Sequence, residues 1–161
     1  MQISFTEEET MIQDTAKQFA ESELKPNAQL VESELGKSKF LENVKALAEL
    51  GFMGINIDSH YGGIEAGSVA FSLAITEIAR GCASTAVTTS VTNMVAEVIQ
   101  AVGNEQQKSH YLPKICTGEF LAGGFCLTES TAGSDPSAMT TRAVRDGDHY
   151  VLNGSKIFIT S

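Results

Sequence analysis

Thr117-Gly118-Glu119-Phe120-Leu121-Ala122-Gly123-Gly124-Phe125-Cys126-Leu127-Thr128 is where the chain changes character. Before Gly118, apolar residues recur at spacings of three and four, the mark of one face of a helix. After it they fall in short extended runs bounded by turn residues. Residues 120–128 are therefore predicted as a strand. The fold predicted around that change is mainly α. An up-and-down helical bundle domain occupies residues 1–118, and residues 119–161 form the first strands of an unfinished β domain.

Working back from Gly118, Asn104 followed by Gln107 is a capping signature, and the helix it starts ends near Cys116 with Pro113 bending or shortening its last turns. Residues 84–102 form a helix that is apolar nearly all round, through Val87, Val91, Met94, Val95, Val98 and Ile99, which predicts a central place in a bundle. Its Thr and Val content lowers helix propensity, so burial has to hold it. Another helix runs from Ser68 to about Arg80. Residues 51–67 form a break containing Tyr61-Gly62-Gly63. Residues 38–50 form a helix with Phe40, Leu41, Val44, Leu47, Ala48 and Leu50 on its apolar face and Gly51 as its stop. Thr6 with Glu9 is a capping box for a first helix, whose Ile12, Ala16, Phe19 and Ala20 keep helical spacing until Pro26 interrupts it.

Working forward, residues 139–145 and 149–152 are predicted as two strands joined by Asp146-Gly147-Asp148, a strong hairpin signal. Asn153-Gly154 gives a further turn, and residues 157–160 a short strand.

Composition narrows the function classes. The hydrophobic fraction of 42% and charged fraction of 19% describe an ordinary globular chain rather than a disordered one. Eleven Lys and Arg against 20 Asp and Glu, a formal charge of −9, is the wrong sign for general nucleic-acid binding. The excess is concentrated early, in Glu7, Glu8, Glu9, Asp14, Glu21, Glu23, Glu32 and Glu34, which form solvated helix faces or, alternatively, a docking surface for a basic partner. Cys82, Cys116 and Cys126 have no metal-ligand spacing and fit buried thiols in a reducing compartment. Bacterial cytoplasm is the expected location, or mitochondrial matrix for a processed eukaryotic chain. The start Met1-Gln2-Ile3-Ser4-Phe5 does not have the form of a secretory signal, and no apolar stretch is long enough to span a membrane.

The loop Cys126-Leu127-Thr128-Glu129-Ser130-Thr131-Ala132-Gly133-Ser134-Asp135 holds hydroxyls, a Gly and two carboxylates after a predicted strand. Ala132-Gly133-Ser134 can turn several backbone N–H groups to one side, and Thr128 and Ser134 add hydroxyl donors. No His lies close to the loop in sequence, and His60, His110 and His149 are scattered, so the loop reads as binding chemistry rather than nucleophile chemistry unless the fold brings a distant His to it. On the residues alone the loop is either a binding loop or a polar, well-capped connection. Glu129 and Asp135 suit side-chain-to-backbone capping better than proton transfer.

The pattern L-T-E-x-x-A-G-S-D at 127–135, followed by N-G-S-K-x-F-I-T at 153–160, resembles the signature of the acyl-CoA dehydrogenase family. Leu50-Gly51-Phe52-Met53-Gly54, Tyr61-Gly62-Gly63, Gly103-Asn104-Glu105-Gln106-Gln107-Lys108, Tyr111-Leu112-Pro113-Lys114 and Thr117-Gly118-Glu119 resemble the family's helical domain in order. The resemblance implies that residues 119–161 begin a β-barrel-like middle domain, the parent being a multi-domain protein of α and β parts, and it implies an FAD cofactor and an acyl-CoA substrate. A base takes the α proton, the β hydride goes to flavin N5, and a trans-2-enoyl-CoA results. It also implies an electron-transfer flavoprotein as electron acceptor and a homo-oligomer, tetrameric in the family. Carried onto this chain, it implies that Phe125, Leu127 and Thr128 line or hydrogen-bond the flavin ring. Gly133 and Ser134 reach its phosphate side, Ser134 also meeting the CoA part of the substrate. Phe158, Ile159 and Thr160 pack beside the ring. Ser130 stands where the family usually has Pro, and Phe158 where it more often has Trp. The catalytic Glu implied by the family lies beyond Ser161, so no catalytic residue and no metal ligand is assigned. A related acyl-CoA oxidase or flavin monooxygenase component is the alternative within the fold, and a non-catalytic helical packing module is the alternative for these 161 residues alone.

Overall fold

In the computed structural model, which describes residues 4–33 and 36–160, the chain divides into two compact units at residues 123 and 124. Met1-Gln2-Ile3 and Glu34 lie outside the described residues. In the first unit, helix α1 (Glu7–Phe19) starts on the predicted capping box: Thr6 Oγ1 accepts Glu9 N–H at 3.1 Å and Glu9 Oε2 accepts Thr6 N–H at 2.8 Å. Glu7, Glu8 and Glu9 occupy the first turn, where they complement the helix dipole.

Ile12, Ala16, Ala20 and Leu24 are all buried, each four residues from the last. At 3.6 residues per turn such a row drifts about 40° per step around an α-helix. The chain absorbs the drift by widening into a π turn over Ala20–Leu24, so that Lys25 N–H bonds Ala20 O. Pro26 then sits in a 3-10 turn (Lys25–Asn27), followed by the short α2 (Ala28–Val31).

Helix α3 (Lys37–Glu49) ends on Gly51, whose φ of 83° is left-handed. Gly51 N–H bonds Ala48 O and Phe52 N–H bonds Leu47 O, the paired closure expected of a glycine stop. Helix α4 (Gly67–Gly81) lies against α1. A Cβ on Gly81 would sit 2.9 Å from Ala20 O and from Leu24 Cβ, so only glycine lets α4 approach the π turn this closely. The main core joins these helices through Ile12, Leu24, Leu47, Phe52, Ile55 and Ile78. A second cluster joins α5 (Ala83–Val102) and α6 (Glu105–Cys116) through Ala96, Leu112 and Ile115. Helix α6 carries the second capping box, Asn104 with Gln107, and continues past Pro113 to Cys116.

Helix α5 corrects one expectation. Its inward face is Thr85, Ala86, Thr88, Thr89, Thr92, Asn93 and Ala96, while Val87, Met94 and Val98 are exposed, Val98 at 42%. Two physical reasons account for it. Thr89 Oγ1 donates to Thr85 O at 2.9 Å and Thr92 Oγ1 to Thr88 O at 2.7 Å, so these hydroxyls are satisfied on their own helix and the side chains pack as small apolar groups. The same side also has polar work. Asn93 Oδ1 accepts Ile55 N–H at 3.1 Å, and its Nδ2 donates to Phe52 O at 2.9 Å and Thr89 O at 2.9 Å. Glu97 accepts from Asn56 Nδ2 at 2.7 Å, and Gln100 accepts Asp58 N–H at 2.8 Å. One polar row along α5 thus holds the irregular segment 52–58.

Among the described residues the second unit holds one antiparallel hairpin, β1 (Arg142–Asp146) and β2 (His149–Asn153), with Val144 opposite Val151. Its turn falls within the predicted connection Asp146-Gly147-Asp148, shortened to Gly147-Asp148 because Asp146 pairs with His149 as the last residue of β1. Three other strand expectations fail. Residues 120–128 make no ladder; beyond the one-residue bridge of Glu129 with Ala132, the extended part meets its neighbour through a single backbone bond, Ile157 N–H to Thr128 O at 2.9 Å. Residues 157–160 are not a strand because Phe158 turns the backbone to φ 55°. Residues 139–141 stay out of β1 because Thr140 and Thr141 give their N–H groups to the Glu129 carboxylate, at 2.7 and 3.0 Å.

Candidate functional site

The polar loop after Thr128 is built on a buried acid. Glu129 is 4% exposed, and its N–H and C=O close a tight turn with Ala132, at 3.1 Å each way. Its carboxylate Oε2 accepts Thr140 N–H and Thr140 Oγ1 at 2.9 Å, and Oε1 accepts Thr141 N–H and Lys156 Nζ at 2.9 Å. The carboxyl is held well below the usual carboxylate range. The Thr141 hydroxyl contributes most, although it lies beside the acid without a hydrogen bond of good geometry; the Thr140 amide and the Lys156 ammonium follow, and burial acts the other way. Asp135 caps the 3-10 turn Pro136–Ala138 by accepting Ser137 N–H at 3.0 Å, and the Ser137 hydroxyl and amide hold it below its ordinary value. Both acids are therefore engaged by structural hydrogen bonds, Asp135 within its own turn and Glu129 with residues 11 to 27 positions away.

The residues expected at a flavin fall into two groups. Phe125, Leu127 and Thr128 lie in the segment that meets the 157–160 segment, through Thr128 O and Ile157 N–H. A Cβ placed on Gly124 would lie 3.7 Å from Ile159 Cγ2 and from Thr160 O, so the two segments run side by side at van der Waals distance. Phe125 and Leu127 are exposed, and Phe158 is 89% exposed. Gly133 and Ser134 form the second group, beyond the Glu129–Ala132 turn. Both are exposed, and a Cβ on Gly133 would meet nothing within 4 Å. The predicted nest of donors is smaller than expected, because Ala132 N–H is consumed by Glu129 O. Among the described residues no hydrogen bond links Gly133 or Ser134 to the first group.

Lys156 was given no role by the sequence reading. Its Nζ donates to Leu127 O at 2.8 Å, to Glu129 Oε1 at 2.9 Å and to Met139 Sδ at 3.3 Å. The available signal was a lone cation directly before the apolar run Ile157-Phe158-Ile159, with an acid at the heart of the preceding loop. Among the described residues no group of three or more His, Cys, Asp or Glu side chains is placed to hold a metal ion, and no helix is long and apolar enough to cross a membrane.

Two family profiles match this chain: the acyl-CoA dehydrogenase N-terminal domain over residues 6–119 and the acyl-CoA dehydrogenase middle domain over residues 124–161. The chain belongs to the acyl-CoA dehydrogenase family. It is 40% identical to the short-chain specific acyl-CoA dehydrogenase of Clostridium acetobutylicum, an alignment that covers 100% of this chain and 42% of that relative. Among solved structures it is similar to a chain from work on the electron transferring flavoprotein of Acidaminococcus fermentans, with a TM-score of 0.88 and 37% identity over 99% of this chain and 41% of that one. It is also similar to the acyl-CoA dehydrogenase from Bacillus anthracis complexed with FAD, with a TM-score of 0.86 and 33% identity over 97% of this chain and 27% of that one. The sequence thus spans less than half the length of the acyl-CoA dehydrogenases it matches.

Proposed function

We propose that these residues supply one side of the flavin site of an FAD-dependent acyl-CoA dehydrogenase acting on a short- or medium-chain acyl-CoA. The observation that carries this reading is the pairing of two short segments, 125–128 and 157–160, that present Phe125, Leu127 and Phe158 to solvent beside the Thr128 and Thr160 hydroxyls. Large apolar groups are left exposed where they have a flat partner to cover. Such a donor set fits a planar ring with a polar edge. In this reading Phe125, Leu127, Thr128, Phe158, Ile159 and Thr160 hold the ring. Gly133, open on its Cβ side, and Ser134 meet the phosphate side, and Ser134 also meets the substrate's CoA part.

FAD, when bound, supplies a two-electron acceptor for the acyl chain. The residues described here bind and orient; hydroxyl and amide donors at a ring edge favour negative charge there. The proton-abstracting Glu is not among them, which follows from the family resemblance, so the 161 residues alone bind without turning over. Residues 1–118 and 119–161 are taken as separate domains on the change of hydrophobic period. An electron-transfer flavoprotein is the proposed acceptor and acyl-CoA the proposed substrate, both supported by the kinship above.

Titrating FAD against the chain and following flavin fluorescence tests the binding reading. Quenching that Phe158→Ala and Thr160→Ala each weaken is expected. Anaerobic addition of butyryl-CoA should leave the flavin of this chain oxidised; bleaching would show that a base is present after all. In a longer protein containing this chain, fast peroxide formation on exposing the reduced enzyme to air would favour an oxidase instead.

A further inference from the structure

We propose that Glu129 and Lys156 are positioning residues: their ion pair, in place of a sheet ladder, sets residues 125–128 beside residues 157–160. The proposal deepens the flavin reading and rests on it, since those two segments carry the residues expected against the ring.

The geometry is specific. Lys156 has three N–H donors, and all three are used, on Leu127 O, Glu129 Oε1 and Met139 Sδ. Glu129 accepts four donors, two on each oxygen. A low-exposure ion pair stabilises a structure only when its remaining hydrogen-bonding capacity is filled, and here it is filled on both sides. The next residue continues the grip. Lys156 takes the carbonyl of Leu127 with its side chain, and Ile157 takes the carbonyl of Thr128 with its backbone N–H at 2.9 Å. Two successive carbonyls of one segment are thus held by two successive residues of the other. With the carbonyls of Leu127 and Thr128 turned toward residues 156 and 157, the Thr128 hydroxyl is engaged by no hydrogen bond among the described residues. Phe158, one residue past the grip, is swung out by its positive φ. The same acid fixes Thr140 and Thr141, so three separate segments meet at one carboxylate.

The test compares Glu129→Gln, Lys156→Met and Lys156→Arg in the 161-residue chain, by amide hydrogen exchange and by FAD titration. Lys156→Met should speed exchange of the Ile157 amide roughly tenfold, the factor for one lost charge-assisted hydrogen bond, and leave the amides of Thr140, Thr141 and the hairpin near wild type. Glu129→Gln should speed Ile157, Thr140 and Thr141 together. Lys156→Arg, which keeps the charge and donors, should restore most of the Ile157 protection. FAD affinity should fall roughly tenfold in Lys156→Met and recover in Lys156→Arg. Unchanged Ile157 exchange in Lys156→Met overturns the proposal. A uniform rise that includes β1 and β2 also overturns it, because the pair would then only stabilise the unit as a whole. Lost Ile157 protection with unchanged FAD affinity overturns the positioning role. A wild-type chain that does not quench flavin fluorescence defeats the flavin reading instead, and the exchange pattern still decides whether the pair holds the two segments.

Discussion

Asn93 reads the backbone of Ile55: its Oδ1 accepts the Ile55 N–H at 3.1 Å, inside a helix face that is otherwise threonine and alanine. The amide also donates to Phe52 O, so one side chain satisfies a donor and an acceptor of an irregular, buried segment. Asn93→Leu should destabilise the helical unit by about 2–4 kcal/mol, because it strands buried backbone groups rather than removing a surface contact. Urea unfolding followed by far-ultraviolet circular dichroism checks this; a loss no larger than that of an exposed substitution would mean water replaces the amide.

The inverted polarity of α5 gives a paired prediction. Val98→Lys lies on the exposed side and should change stability by less than about 0.5 kcal/mol in this chain. Thr92→Val should cost about 1 kcal/mol despite adding apolar character, because Thr92 Oγ1 also accepts Gly123 N–H at 3.1 Å. Hydropathy alone predicts the reverse order, so the two midpoints separate the accounts.

Gly81→Ala should be destabilising by about 1–3 kcal/mol, since the new methyl meets the backbone oxygen of Ala20, which cannot rotate away. Thermal unfolding measures it. An alanine that is tolerated would mean that α4 slides away from the π turn without loss of core contact.

Acid should loosen the second unit through Glu129. The carboxyl titrates lower in the folded chain than the unfolded value of about 4.3. Its stabilising contribution is therefore complete above that value and is lost as pH falls below it. Protection of the Thr140 and Thr141 amides, corrected for intrinsic exchange, should decline in that acid range. Glu129→Gln should remove the decline there while leaving a smaller one at Ser137, whose partner Asp135 is lowered in the same direction. An acid-independent profile in the wild type would refute the assignment.

Much of the helical unit, and the hairpin of the second unit, were legible because their signals are local. Thr6 with Glu9, Asn104 with Gln107, Gly51 after α3 and the Asp-Gly turn each bind groups only a few residues apart. What failed depended on partners distant in sequence. Residues 120–128 have strand composition, but a strand exists only where another segment offers a ladder. Thr140 and Thr141 look like the start of β1 until Glu129, eleven and twelve residues earlier, captures their amides. The orientation of α5 was hidden for a different, local reason: Thr89 and Thr92 cancel their own polarity within about one turn, which no hydropathy value expresses. The family resemblance names candidate residues for the site, but it gave no role to Lys156, whose bonds to Leu127 O and Glu129 Oε1 span 29 and 27 residues.

Phe158 combines a left-handed backbone with a ring left almost wholly in water. A bulky side chain there costs on the order of 1 kcal/mol or more relative to glycine, and with so little covered it gains almost nothing back. Folding selection alone would replace it. A deep mutational scan scored for solubility should therefore enrich glycine and asparagine at this position, whereas a scan scored for flavin retention should keep an aromatic, so the two rankings would diverge at this residue.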